Sequence, residues 1–149
     1  MTEKGRIERG QERNFILSGN ATFTVKNTQT GGRFTFKVTQ PDASGPHFVK
    51  VLTGSDNESD YGYLGTIFNA GQYKHGRKSG ISETAQSAKV FKWFLACLAS
   101  ETLPEQIEVW HEGRCGRCGR KLTVPESIKS GYGPECLGML REWGRTAWA

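Results

Sequence analysis

Three cysteines near the C-terminus constrain this chain more than any other feature. Cys115 and Cys118 have the C-x2-C spacing of a zinc knuckle, in which a tight turn lets both thiolates reach one metal ion. Gly116 and Gly119 supply the backbone freedom that such a turn needs. Cys136 follows after a stretch long enough for a short hairpin that returns the chain to the ion. The spacing therefore predicts one structural zinc ion, Zn²⁺, as the cofactor.

The fourth zinc ligand is less firmly fixed by the sequence. His111 stands just before the knuckle, and with Cys115, Cys118 and Cys136 it would complete a Cys3His tetrahedron. Four protein ligands leave no position for water, which is typical of a structural site. In the alternative, His111 is only a strand-end histidine, and Cys97 or a water molecule takes its place. Cys97 itself lies in an apolar helical pattern and is expected to be a small buried hydrophobe.

Charge and length narrow the classes of protein that the chain can be. Its 149 residues fit one domain with a small appendage, and its net charge of +5 suits nucleic acid or an acidic protein partner. Residues 111–149 carry seven basic and four acidic side chains, which is +3 of the +5. The N-terminus has no secretory signal and no apolar run approaches the ~20 residues of a membrane span. We therefore expect a reducing cytoplasm and no membrane partner.

Period-two alternation of apolar and polar residues predicts a sheet. Residues 21–25 and 34–38 read as a hairpin, and 47–52 as a central strand. Residues 61–68 read as a fourth strand, with Tyr61, Tyr63 and Ile67 on one face by the same period. A last short strand at 107–110 delivers the chain to His111.

One long helix is predicted after the sheet. Ser82 is the expected N-cap, and the apolar residues from 83 to 100 recur with helical spacing over a broad face. The fold class is therefore α+β: a mainly antiparallel sheet of about five strands packed by this helix, followed by a treble-clef-like zinc module. We divide the chain into a flexible N-terminal arm (1–13), an α+β domain (14–110) and a zinc-binding module (111–149).

A basic, glycine-rich stretch at 71–80 is a candidate for phosphate contact. It carries Lys74, Arg77 and Lys78 among three glycines, so it could wrap a phosphate backbone. The alternative is a solvated loop without regular structure. The order of residues is not that of a P-loop, because the G-x4-G-K-[ST] pattern is absent.

The zinc motif also carries a resemblance. Residues 114–123 read RCGRCGRKLT, and Pro125, Gly131, Gly133, Pro134 and Cys136 follow at set positions. This run resembles a family of small zinc modules of unassigned function that are widespread in bacteriophage proteins. The resemblance covers about the last quarter of the chain. It implies a phage or prophage origin and expression in the bacterial cytoplasm, and it supplies no catalytic residues.

Two non-catalytic functions fit these observations. In the first, the chain binds nucleic acid through arginines and a lysine fixed around the metal, and Tyr132 stacks on a base; the basic residues are Arg114, Arg117, Arg120 and Lys121. In the alternative, these side chains only keep the surface of the knuckle hydrated and bind no partner.

In the second function, the chain is a protein-binding module that inhibits or redirects a host protein such as a defence nuclease or a polymerase. An enzyme is not expected, because the chain lacks the H-E-x-x-H, deaminase and Ser-His-Asp patterns.

Overall fold

A computed structural model describes residues 5–54, 60–68, 71–118 and 132 of the chain. The elements in this part are, in chain order, α1 (Glu12–Ile16), β1 (Asn20–Asn27), β2 (Arg33–Thr39), β3 (His47–Leu52), β4 (Tyr61–Ile67), β5 (Tyr73–His75), α2 (Gln86–Ser100) and β6 (Ile107–His111). Neither of the helices in these residues is long and apolar enough to cross a bilayer.

The strands form one antiparallel sheet in the order β5-β4-β3-β2-β1-β6. β1 to β5 follow one another as a meander, and α2 then carries the chain back across the sheet to β6, beside β1. The predicted α+β class, with a mainly antiparallel sheet and one long helix, is confirmed. The predicted zinc module lies mostly outside the described residues.

Aromatic rings join α2 to one face of the sheet. The Phe36 ring lies 5.0 Å from that of Phe91 and 6.0 Å from that of Phe23, and Phe94 lies 6.3 Å from Phe23, measured between ring centroids. All four side chains are fully buried. Burial of each such ring contributes about 1.5–3 kcal/mol, so this cluster fixes which face of the sheet is the core.

The length of α2 suits its path. Fifteen residues in an α-helix span about 22 Å, and six strands about 4.8 Å apart span about 24 Å. The helix begins at Gln86, three residues later than the predicted start at 83. The Ser82 hydroxyl accepts a hydrogen bond from the Thr84 backbone N–H at 3.2 Å, which forms a turn, and Ala85 is extended. Ser82 is therefore not the N-cap.

A bulge in β4 changes the predicted faces of that strand. Val49 pairs with Gly65 and the next residue, Lys50, pairs with Tyr63, so Leu64 has no partner in the ladder. A bulge shifts the period-two pattern by one residue. Ile67 therefore faces the core, where it is 2% exposed, and not the face that carries Tyr63.

The glycine-rich stretch at 71–80 contains the strand β5, although no regular structure was predicted there. Thr66 pairs with Lys74 and Ile67 with Tyr73. Side chains hold the following turn in place, because the Ser79 hydroxyl donates to the Tyr63 carbonyl at 2.6 Å. The short pairing escapes a periodicity search because three residues are too few to show alternation.

The N-terminal segment is docked on β6, contrary to the flexible arm predicted for residues 1–13. The Ile7 backbone N–H donates to the Val109 carbonyl at 2.7 Å, and the Ile7 side chain is 4% exposed. The Arg9 guanidinium donates to the carbonyls of Glu105 and Ile107 at 2.7 and 2.8 Å. Glu12 is also buried. Residues 5–7 thus extend the sheet edge, and a single buried isoleucine among charged residues gave little sequence signal for it. Residues 1–4 of the predicted arm lie outside the described residues.

Replacing Ile7 tests this docking. Ile7→Ala should lower the free energy of unfolding by about 2–5 kcal/mol, the usual cost of truncating a buried isoleucine. Glu8→Ala, at the exposed neighbouring position, should change it by less than about 0.5 kcal/mol. Urea denaturation followed by circular dichroism measures both. Equal, small effects would mean that the segment is solvated in solution.

Tyr73 makes a pH-dependent contribution to stability. Burial, and then the nearby Tyr63 and Glu83, raise the pKa of Tyr73 from 10.0 to about 12. The unfolded chain therefore ionises first as the pH rises above 10, and stability that is present below pH 10 is lost toward pH 12. Tyr73→Phe should lose less stability than the wild type between about pH 9 and about pH 11 in urea titrations. An equal loss in both proteins would contradict this assignment.

Candidate metal centre and nucleic-acid interface

His111 is the last residue of β6 and belongs to the sheet. It lies opposite Phe23 of β1, on the core face, and is 6% exposed. Its ring packs 6.2 Å from that of Phe15, between centroids. The Gly113 backbone N–H donates to Nδ1 of His111 at 3.0 Å.

This hydrogen bond bears on the predicted zinc ligand. A ring nitrogen that accepts a hydrogen bond uses its lone pair, and in neutral imidazole the other nitrogen then carries the proton. Zinc needs an unprotonated nitrogen. His111 could bind zinc through either nitrogen only after losing the bond from Gly113. Its role as a ligand stays a prediction.

The knuckle turn is seated on the connection between α1 and β1. Cys115 is 0% exposed. The carbonyl of Gly116 accepts hydrogen bonds from the Asn20 N–H at 2.8 Å and from the Ser18 hydroxyl at 2.7 Å. A Cβ at position 116 would lie 2.6 Å from a Phe15 ring carbon and 2.7 Å from the Ser18 hydroxyl. The close approach therefore requires glycine here, and it ties the knuckle turn to the α1–β1 connection.

The other predicted ligands differ in exposure, and one is outside the described residues. Cys118 is exposed, and Cys136 is not among the described residues. Cys97 is half-buried on α2, where it borders a depression beside Arg9 and Glu12. Within the described ranges, no three or more His, Cys, Asp or Glu side chains are grouped so that they could hold a metal ion. Zinc binding by Cys115, Cys118 and Cys136 accordingly stays a prediction.

Tyr132 lies beside the knuckle. Its ring is 5.6 Å from that of Phe15, and it packs against the core. Burial raises the pKa of Tyr132, a hydrogen bond with Ser18 lowers it, and the neighbouring Cys115 raises it. A ring held against the core in this way supports the knuckle, so it does not favour the predicted stacking on a base.

The predicted nucleic-acid residues fall into two groups in the structure. Arg114 and Arg117 are half-buried in the knuckle segment, whereas Arg120 and Lys121 lie outside the described residues. Burial and the nearby Glu112 raise the pKa of Tyr61, and the positive charge of Arg114 lowers it. Arg114 is thus close to the sheet face that carries Tyr61.

The second group belongs to β5 and the turn that follows it. Lys74 pairs with Thr66 on β5, and Arg77 and Lys78 are in the turn; all three basic side chains are exposed. The Thr66 hydroxyl is 2.6 Å from the Tyr63 hydroxyl, so Thr66 and its partner Lys74 belong to the face that carries Tyr63.

That face carries further basic residues that the sequence analysis did not single out. We call it the open face: the side of the sheet opposite α2, formed by Lys26, Arg33, Lys37, Phe48, Lys50, Tyr61, Tyr63 and Lys74. Lys37 lies directly opposite Lys50, and Lys26 lies directly opposite Arg33. Like charges placed opposite each other on adjacent strands are destabilising by up to about 1 kcal/mol per pair.

The acidic residues at the β6 end of the open face already have partners. Glu108 forms an ion pair with Arg6 at 3.2 Å, and Glu112 accepts a hydrogen bond from the Thr24 hydroxyl at 3.0 Å. In the described part of the chain, neither Lys37 nor Lys50 forms an ion pair. The sequence does place these lysines at polar positions of predicted strands, but the pairing of β2 with β3 was not predicted.

Comparison with known proteins gives one match. A model of a family of unknown function, DUF6011, matches residues 110–141, which include Cys115, Cys118 and Cys136. The predicted resemblance of the knuckle region to a family of unassigned function is confirmed over these residues. No curated protein and no solved structure matches the chain significantly.

Metal analysis of cysteine variants tests the predicted zinc site. The purified wild type should contain one zinc ion per chain, and Cys115→Ser should contain little, because a thiolate ligand is removed. Cys97→Ser is the matched control and should keep its zinc. We expect His111→Ala to keep zinc as well, because its ring accepts the Gly113 N–H. Loss of zinc from His111→Ala with unchanged folding would make His111 a ligand, and a wild type without zinc would overturn the site.

Proposed function

We propose that this is a non-catalytic nucleic-acid-binding protein of phage type, stabilised by zinc and acting in the cytoplasm of a bacterial host. The observation that carries the proposal is the pair Lys37 and Lys50, which face each other across β2 and β3 without an acidic partner in the described residues. Two cations held opposite each other have an unfavourable energy that a polyanion would relieve.

The rest of the open face extends this positive surface. Lys26 and Arg33 lie opposite each other toward one end of β1 and β2, where Lys26 is also opposite Glu108 of β6, and Lys74 contributes from β5. Backbone pairing fixes their spacing, so these residues lose less freedom on binding phosphate than side chains of a mobile loop would. Arg33, Lys50 and Lys74 are exposed to solvent, as contact with phosphate requires.

The knuckle would add its arginines at the edge of this surface. Arg114 already lies within electrostatic reach of Tyr61 on the open face. Cys115, Cys118 and Cys136 would hold the zinc ion, with His111 or water as the fourth ligand. The ion would supply structural stability, on the order of 10 kcal/mol in small zinc folds. The chain's own residues, not the metal, would make the contacts to nucleic acid.

The absence of catalysis is part of the proposal and rests on the sequence, which lacks the H-E-x-x-H, deaminase and Ser-His-Asp patterns.

A protein partner is the second candidate, and one observation favours it. Trp93 on the outer side of α2 and Phe68 after β4 are each 44% exposed. Single exposed apolar side chains are normal on protein surfaces, whereas an unneutralised pair of opposed lysines is costly. The open face therefore supports nucleic acid more strongly.

Titration at several salt concentrations tests the proposal. Labelled DNA and RNA should bind at about 50 mM salt, and log K should fall linearly with log salt concentration as counterions are released. Lys37→Glu and Lys50→Glu should each weaken binding about tenfold or more and flatten the salt dependence. Lys92→Glu on α2 makes the same change in net charge away from the open face, and it should bind nearly as the wild type does.

The contrary outcome is equally clear. If no DNA or RNA binds at about 50 mM salt, nucleic-acid binding is excluded, because the electrostatic term is strongest there. If Lys92→Glu weakens binding as much as Lys50→Glu, net charge and not the open face carries the affinity.

A further inference from the structure

Aromatic side chains alternate with the lysines of the open face. Along β3, Phe48 and Lys50 are two residues apart and therefore project from the same side of the sheet. Lys50 also lies directly opposite Tyr63 on β4. One exposed lysine is thus bordered by an aromatic ring along its own strand and by another across the sheet.

Phe48 is presented in a way that suits stacking, whereas the Tyr63 ring is packed under the turn after β5. Phe48 is 37% exposed, although it is on a central strand, and its cross-strand neighbours are Thr39 and Thr66. The Tyr63 hydroxyl is 2.6 Å from that of Thr66, and a Cβ at Gly76 would meet the Tyr63 ring, so glycine lets the turn after β5 pack on it. Preorganised rings lose little entropy when a base stacks on them.

A third ring lies on the same face and already contacts a cation. The Lys37 ammonium lies 5.8 Å from the centroid of the Tyr61 ring. Rings interleaved with lysines on one side of a sheet match the alternation of bases and phosphates in a nucleic acid.

The shape of the open face favours single-stranded over double-stranded nucleic acid as its ligand. The bases of a duplex are stacked inside it, so an element that reads or contacts them must enter a groove. The part of the open face described above is a sheet surface, whose side chains stand about perpendicular to it. A surface of that kind meets exposed bases only when they are unpaired and splayed onto it.

We propose that the open face binds single-stranded nucleic acid, with a base stacked on Phe48 and the phosphate backbone on Lys37 and Lys50. This inference rests on the proposed nucleic-acid function and specifies its substrate class. Stacking contributes to affinity without sequence preference, because every base has a π-face. The binding should therefore tolerate changes of sequence but not pairing of the strand.

Fluorescence anisotropy with three labelled probes of equal length provides the test: oligothymidylate, oligouridylate and a DNA duplex. At about 50 mM salt, at least one single strand should bind about tenfold or more tightly than the duplex. Phe48→Ala should weaken single-strand binding about fivefold or more, the ratio expected from loss of one stacked base. Trp93→Ala removes another exposed aromatic side chain, from α2, and should bind as the wild type does.

The outcomes distinguish this inference from the broader proposal. If none of the probes binds, the proposed function itself fails. If the duplex binds as tightly as the single strands, nucleic-acid binding stands and the single-strand inference is overturned. Phe48→Leu keeps an apolar side chain on β3 but removes the ring, so it guards against an effect on folding. Wild-type affinity in this variant, with circular dichroism unchanged, would likewise overturn stacking on Phe48.

Discussion

The position of β6 beside β1 is the constraint on which the rest of the structure depends. α2 has to cross the whole sheet to reach it, and that path buries the apolar side of the helix against Phe23 and Phe36. On its other side, β6 receives the N-terminal segment, since the Ile7 N–H donates to Val109. Its last residue, His111, brings the knuckle to the α1–β1 connection. Without this strand, neither the N-terminal segment nor the knuckle would have a place to dock.

A consequence is that the two faces of the sheet have different tasks. The face under α2 is filled with phenylalanine and aliphatic side chains and supplies the hydrophobic stabilisation. The open face contributes little apolar burial, and its opposed lysine and arginine pairs oppose folding slightly. The core face therefore offsets the cost of the proposed binding surface, which would be unfavourable alone. Residues that conflict with local stability, such as Lys37 opposite Lys50, are the ones most informative about function.

Sequence periodicity was enough to predict five strands and the long helix, and from them the fold class. The apolar residues of each of these elements alternate or repeat over at least five residues. It failed where the physical cause is tertiary. The bulge at Leu64, which turns Ile67 to the core, depends on the pairing of β3 with β4. The docking of Ile7 depends on the exposed edge of β6. Likewise, the sequence shows Lys37 and Lys50 as polar residues of two predicted strands. That they lie directly opposite each other depends on the register of the strands, which a single sequence does not supply.

The knuckle and the open face meet in the segment that follows β6. The Glu112 N–H donates to the Thr22 carbonyl at 3.1 Å, and its carboxylate accepts from Thr24, so this residue is tied to β1. Gly116 is tied to the α1–β1 connection through Ser18. Zinc at Cys115 would therefore affect the position of Arg114, which lies between these two anchors. The positions of Lys37 and Lys50 would still be set by the register of the sheet. The predicted metal binding and the proposed phosphate contacts would thus be separable in energy, because they depend on different backbone interactions.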